Sequence, residues 1–175
     1  MSTPTVLPRD TRLPERFAAW FSARGWSLRP HQAAMLEKAA AQRPALLIAP
    51  TGAGKTLAGF LPSLVDLADP AKRPKMSLTA RGVRRKGIHT LYVSPLKALA
   101  VDVARNLEQP IAEMGLTITV ETRTGDTPAH KRQRQKYDPP DILMTTPEQV
   151  ALLIASAEAP DLFGSLKRVV FDELH

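Results

Sequence analysis

Cysteine is absent from all 175 residues, which excludes disulfides, thiolate zinc sites and cysteine nucleophiles and suits a reducing cytosol. No run is long or apolar enough to span a membrane. The N-terminal segment carries Arg9, Asp10, Arg12, Glu15 and Arg16 and lacks the apolar core of a secretory signal. A cytoplasmic chain with no membrane partner is therefore expected. Acidic residues are missing from one place in particular. Between Pro70 and His89 stand Lys72, Arg73, Lys75, Arg81, Arg84, Arg85 and Lys86 with no carboxylate among them, and the other 17 basic residues balance 17 acidic ones. The net charge of +7 thus belongs to one segment, read either as a solvated insertion or as an arm touching nucleic-acid phosphates. A second basic cluster, His130, Lys131, Arg132, Arg134 and Lys136, has no interleaved aromatic on which a base could stack, so it reads as a solvated helix face.

What is present is more specific. Ala49-Pro50-Thr51-Gly52-Ala53-Gly54-Lys55-Thr56 follows the apolar run Ala45-Leu46-Leu47-Ile48 and precedes Leu57, Phe60, Leu61 and Leu64 at helical spacing. This is the relaxed form of a phosphate loop, with alanine at its first position. Glycines at 52 and 54 let successive N–H groups approach phosphate oxygens, with Thr51 and Ala53 completing the loop. Lys55 adds a point charge, and Thr56 offers a hydroxyl to Mg²⁺. The bland alternative is a glycine turn between strand and helix. Downstream, Val169-Val170-Phe171 leads into Asp172 and Glu173. A carboxylate pair after a strand is most often a solvated strand end. Paired with a phosphate loop, Asp172 becomes a Mg²⁺ ligand acting partly through water, and Glu173 the residue that orients and deprotonates the attacking water. His31, His89 and His130 lack paired metal-ligand spacing. Trp26 is a candidate for stacking on adenine, though Trp20 and Trp26 read better as packing residues.

Periodicity gives helices over 13–24, 31–41, 55–67, 97–115, 129–137 and 148–155, and strands over 46–49, 90–94, 117–121, 142–145 and 168–171. That alternation predicts an α/β fold, a mainly parallel sheet with helices on both faces. Each conspicuous polar motif follows the carboxyl end of a strand, so the motifs are expected along one sheet edge. A tail over 1–12 precedes a single domain over 13–175.

Gln32, the phosphate loop, Ser94-Pro95-Leu96-Lys97-Ala98-Leu99, Arg123-Thr124-Gly125-Asp126-Thr127, Thr145-Thr146-Pro147-Glu148 and the ending Asp172-Glu173-Leu174-His175 together resemble superfamily 2 helicases. Within these the chain is similar to the large helicase-related proteins, most closely the ligase-associated DEXH-box DNA helicases. The resemblance implies the first RecA-like lobe of an ATP-dependent DNA helicase or translocase. Gln32 would read adenine, Lys55, Asp172 and Glu173 would serve catalysis, and Ser94, Lys97, Arg123, Thr127, Thr145 and Thr146 would contact a DNA strand. It further implies ATP and Mg²⁺ as cofactors, single-stranded or tailed duplex DNA as partner, a repair setting with a ligase and nuclease, and a place at the nucleoid. As rivals stand a non-catalytic nucleotide- or nucleic-acid-binding module, a small-molecule phosphoryl-transfer enzyme and an RNA helicase. For the 123–127 and 145–148 stretches the plain alternative is turn chemistry, with Gly125-Asp126 a turn signal and Thr146-Pro147 a helix start, and for Gln32 it is a helix-surface position.

The resemblance also carries an expectation of incompleteness at the C-terminus. The family's second lobe, with its arginine finger, has no counterpart in the sequence. The strand that in RecA-like sheets lies between the phosphate-loop strand and the Asp-Glu strand has none either. Two strands would then lack a neighbour, turnover would be very slow, and the isolated chain would be poorly stable.

Overall fold

The computed structural model describes residues 13–50, 52–78 and 84–173. The expected tail 1–12, Thr51, Arg81, Leu174 and His175 lie outside them. Helices α1 (Glu15–Ala23), α2 (Pro30–Ala40) and α3 (Lys55–Ala68) come first, then two short paired strands, β1 (Ser77–Leu78) and β2 (Arg84–Arg85). Then follow β3 (Thr90–Val93), α4 (Lys97–Glu113), β4 (Val120–Arg123), α5 (Ala129–Tyr137), β5 (Ile142–Thr145), α6 (Pro147–Ile154), α7 (Ala159–Phe163) and β6 (Arg168–Phe171). Strands β4, β5, β3 and β6 lie side by side in that order, every pairing parallel.

The alternation of strand side chains explains the layers. Tyr92, Ile142 and Met144 point into a core shared with Phe17 and Phe21 of α1, Phe60 and Leu64 of α3 and Val103 and Leu107 of α4. Their neighbours Leu91, Val93 and Leu143 face the opposite way and pack on Leu153 of α6 and Leu162 of α7. A period of two therefore sends each strand's apolar groups to both faces, as a buried parallel strand requires.

The run 46–49 departs from expectation. It is not in the sheet: residues 43–50 lie in neither helix nor strand, and Leu46 and Ile48 are 75% and 86% exposed. The sheet ends at β6, where Val169 and Phe171 are themselves exposed. Burying an apolar run also desolvates its N–H and C=O groups, which then need ladder partners, and no described strand pairs with 46–49. The strand expected over 117–121 begins instead at Val120, because Thr119 is occupied by Asp141. Its N–H and hydroxyl both reach Asp141 Oδ2 at 2.9 Å.

Parts of the first basic segment are described. The lysine- and arginine-rich segment contains the β1–β2 pair, and Lys86 anchors it through a 3.0 Å ion pair to Asp141. Beyond it Gly87 approaches α7 closely. A Cβ there would lie 2.5 Å from Ser165 Oγ, 2.7 Å from Leu162 O and 2.8 Å from Asp161 O. Two of these are backbone atoms that cannot swing away. Gly87→Ala is accordingly expected to lower stability by about 1–3 kcal/mol, read as a shift in the denaturant midpoint with unchanged slope.

Candidate nucleotide site and strand-facing edge

Gly52 and Gly54 hold positive φ values of 78° and 77°, a region in which a side chain is strained. At Gly54 a Cβ would also come within 3.2 Å of Gln32 Nε2. The loop is held by Ala53 N donating to Pro50 O at 3.2 Å and by Arg29 Nη1 donating to Gly52 O at 3.4 Å. Gly54 precedes α3 without any side-chain cap, so the first N–H groups of α3 remain open to an anion. Lys55 and Thr56 stand exposed beside them. Gln32 is buried in the first turn of α2, its Oε1 accepting from Arg29 N at 3.0 Å, and it touches the loop rather than open surface.

The direction of α3 settles which end of the sheet this loop occupies. Asp66 pairs with Arg168 at 2.6 Å at the start of β6, whereas Gly59, nearer the start of α3, lies against Val170, with 3.6 Å between its Cβ position and Val170 Cγ1. Helix and strand thus run in opposite directions. Four residues of helix, about 6 Å, lead back from Gly59 to Lys55. Two residues of strand, about 7 Å, lead on from Val170 to Asp172. Lys55 and the carboxylates of Asp172 and Glu173 consequently share the carboxyl edge.

Asp172 is fixed there from three directions. Its N–H donates to Val93 O at 3.0 Å, its Oδ2 accepts from Tyr92 Oη at 2.7 Å, and its Oδ1 accepts from Glu173 N at 3.0 Å. Burial, and next the bond to Asp172, push the Tyr92 phenol above its ordinary pKa, so it stays a donor. The Tyr92 ring packs on Phe60 of α3 with centroids 5.4 Å apart. One aromatic pair therefore connects the phosphate-loop helix to the carboxylate. Glu173 adopts φ 54°, an uncommon conformation for a residue with a side chain, of the kind found where a group must be aimed.

The other motif residues lie along the same edge. Arg123 and Thr145 are register partners in β4 and β5, Val93 partners Thr145, and Ser94 N donates to Thr145 O at 3.0 Å. Most of these side chains are turned inward. Ser94, Arg123, Thr127, Thr145 and Thr146 are all buried. Thr145 Oγ1 donates to Arg123 O at 2.8 Å, Thr127 Oγ1 accepts from Thr124 N at 2.9 Å, and Ser94 Oγ accepts from Leu96 N at 3.3 Å. These hydroxyls tie the motifs together. Arg123 Nη1 donates to Arg132 O at 3.0 Å, while its Nε has no hydrogen-bond partner among the described residues. Lys97 is different: half exposed, it reaches Asp126 at 3.1 Å and joins the start of α4 to the loop after β4.

Sequence alone did not bring out Tyr92, Arg29 or the Lys97–Asp126 pair. Tyr92 sits in an apolar run where periodicity marks it as core, and only the register with β6 carries its hydroxyl to Asp172. Trp26 packs edge-on against Trp20 at 5.6 Å beneath the Arg24 guanidinium, as a packing residue does. No helix among the described residues is long and apolar enough to cross a membrane.

Comparison with known proteins agrees with this geometry. The family model of the DEAD/DEAH box helicases matches residues 29–175. The Lhr helicase/probable uracil glycosylase of Mycolicibacterium smegmatis is 42% identical over 174 residues, covering 91% of this chain and 11% of its own length. The ATP-dependent helicase Lhr-Core of Methanocaldococcus jannaschii is 34% identical over 166 residues, covering 89% and 19%. Among solved structures, the Mycobacterium smegmatis helicase Lhr bound to ssDNA and AMP-PNP superimposes with a TM-score of 0.79 at 38% identity, over 93% of this chain and 20% of that one. The helicase MrfA bound to DNA and AMPPNP gives 0.76 at 30%, over 94% and 21%. The chain thus spans between about a tenth and a fifth of these relatives. With the RecA-like sheet, the phosphate loop and the carboxylate pair in their expected order, the chain belongs to the DEAD/DEAH box helicase family.

Proposed function

We propose that this chain is the ATP-binding lobe of a helicase that moves along single-stranded DNA, with hydrolysis of ATP changing its grip on the strand. The observation that carries the reading is the antiparallel packing of α3 on β6, which brings Lys55, Asp172 and Glu173 to the edge that the other motifs share. Gly52, Ala53, Gly54 and the first N–H groups of α3 cradle the phosphates, Lys55 neutralises them, and Gln32 lies beside the loop on the adenine side. Thr56 and Asp172 supply hard oxygen ligands of the kind Mg²⁺ takes. When bound, that ion supplies charge neutralisation at the phosphates. Glu173 holds the water and takes its proton.

On the strand-facing side, Lys97 and the uncapped first turn of α4 make the phosphate contacts. Arg123, Ser94, Thr127, Thr145 and Thr146 are buried and hold these groups in place. None of these groups reads a base edge, so binding is independent of sequence and sensitive to salt. A repair role beside a nuclease or ligase, and a nucleoid location, follow from the resemblance. The name of the 42%-identical relative, which joins helicase to uracil glycosylase, supports the repair setting.

Titration of the chain with fluorescent single-stranded oligonucleotide across a salt series tests the strand reading. Lys97→Ala is expected to reduce the slope of log K against log salt by about 0.7, the value for one phosphate left without its cation. Failure of any polynucleotide to bind would favour a small-molecule phosphoryl-transfer enzyme. Tyr92→Phe tests the metal side. Losing the bond to Asp172 is expected to weaken AMP-PNP binding about 2- to 10-fold when Mg²⁺ is present. Without Mg²⁺ the variant and the parent should bind alike.

A further inference from the structure

The basic cluster at 130–136, which the sequence offers as one solvated helix face, divides in two along α5. In the second half the cations are answered by carboxylates: Arg134 pairs with Glu121 of β4 at 2.6 Å, and Lys136 with Glu158 at the start of α7 at 3.3 Å. Gln135 Nε2 donates to Glu121 Oε2 at 2.8 Å and to Thr122 O at 3.1 Å, so this half is fastened to β4. In the first half, Lys131 and Arg132 are partly exposed and form no ion pair among the described residues, and His130 beside them is exposed. The first turn of α5 holds no acidic residue. Cations there oppose the helix macrodipole, whose positive end favours carboxylates. Beneath the turn lies another cation without a counter-charge. Arg123 is 8% exposed, donates Nη1 to Arg132 O at 3.0 Å and meets no carboxylate among the described residues. Burial, and next the charge of Arg132, hold its guanidinium below the ordinary arginine pKa.

Arg123, Lys131 and Arg132, gathered around one turn, repel one another, and an anion taken up there lowers that energy. The turn stands at the carboxyl edge because α5 follows β4. Lys97 reaches the loop between them, 3.1 Å from Asp126 and with 3.7 Å from its Nζ to the Cβ position of Gly125. Asp126, the one carboxylate of the loop 124–128, is thereby engaged by Lys97 and does not offset the α5 cations. Helix side chains lean toward the N-terminus, which carries Lys131 and Arg132 toward that edge. We infer that the first turn of α5 continues the polynucleotide seat beyond Lys97, with Lys131 and Arg132 each neutralising a phosphodiester group where the bound chain leaves the lobe over β4, the outer strand of the sheet. The inference rests on the polynucleotide reading above and lengthens its footprint by residues outside the motifs. Buried Arg123 does not meet the polynucleotide itself; it holds the turn by its backbone and adds to its field. Charge argues for the partner: separated single cations on an open turn, and no Phe, Tyr or Trp between 124 and 136 on which a base could stack. That combination suits a backbone met phosphate by phosphate.

Two double variants of the chain, matched in charge, test the inference. Lys131→Ala/Arg132→Ala is expected to take about 1.4 from the slope of log K against log salt for oligo(dT), two cations at about 0.7 each. Arg134→Ala/Lys136→Ala removes the same charge from the paired half of the same helix and should leave the slope at the parent value. Equal losses in the two variants would overturn the inference, since α5 would then act only through its net charge. Lysine acylation footprinting of the unsubstituted chain gives a readout that no folding defect can mimic. Oligo(dT) should protect Lys97 and Lys131 and leave Lys136 as reactive as before. Protection of Lys97 without Lys131 would overturn the α5 contact and leave the proposed function standing. Protection of Lys131 by poly-glutamate as strong as that by oligo(dT) would overturn the assignment to a polynucleotide backbone. Absence of protection at every lysine, with no polynucleotide bound, would overturn both readings.

Discussion

Lys55→Ala is expected to weaken binding of AMP-PNP by this chain about 10- to 100-fold, because a charge-assisted hydrogen bond to phosphate contributes roughly 1.5–3 kcal/mol. The stability of the fold should not change. Lys55 is exposed at the first position of α3, where its ammonium makes no ion pair among the described residues, and alanine is a better helix former than lysine. Equilibrium titration with a fluorescent analogue measures the first quantity and a melt measures the second. The pairing of outcomes is informative, since a general loosening of the loop would lower both. Affinity unchanged by the substitution would mean that the glycine loop is a plain turn and that the phosphates, if bound at all, sit elsewhere.

The order of elements was legible because each motif has a local cause. Pro30 can open α2 and Gly54 can precede α3 whatever the rest of the chain does, and the period of the apolar residues survives in the packed helices. The parallel sheet followed from strands alternating with helices, and the carboxyl-edge placement of the motifs from that sheet. What was not legible depends on partners distant in sequence. Residues 46–49 have the composition of a buried strand, yet a strand needs a neighbour and β6 does not lie beside them. The five-residue α7, with Pro160 near its start, is too short for a periodicity to declare itself.

The candidate site divides in the same way. Glycines at positive φ are predictable from residue type, and the donor set of Lys55, Thr56, Asp172 and Glu173 from spacing within the family resemblance. Whether Ser94 and Thr145 face a ligand or one another is a matter of register, which no single segment specifies. The ladder of β3, β5 and β4 turns both hydroxyls inward, and so they serve the edge by holding it.

Phe60→Ala is the substitution expected to cost most, because it acts on the core and the site together. The side chain is 1% exposed, and replacing a buried phenylalanine by alanine removes about 3–5 kcal/mol. For a chain of this size that corresponds to a fall in Tm of about 6–20 °C. The more specific consequence concerns Tyr92, whose ring loses its 5.4 Å neighbour and with it the packing that aims the hydroxyl at Asp172. Leu64→Ala is the control, since Leu64 is equally buried one turn further along α3 but is not part of the Tyr92 pair. Measured well below both transitions, Mg²⁺-dependent binding of AMP-PNP should fall in Phe60→Ala and stay near the parent value in Leu64→Ala. Equal affinities in the two variants would mean that Asp172 is positioned by its own strand alone. The helix that carries the phosphate loop would then have no part in setting the carboxylate opposite it.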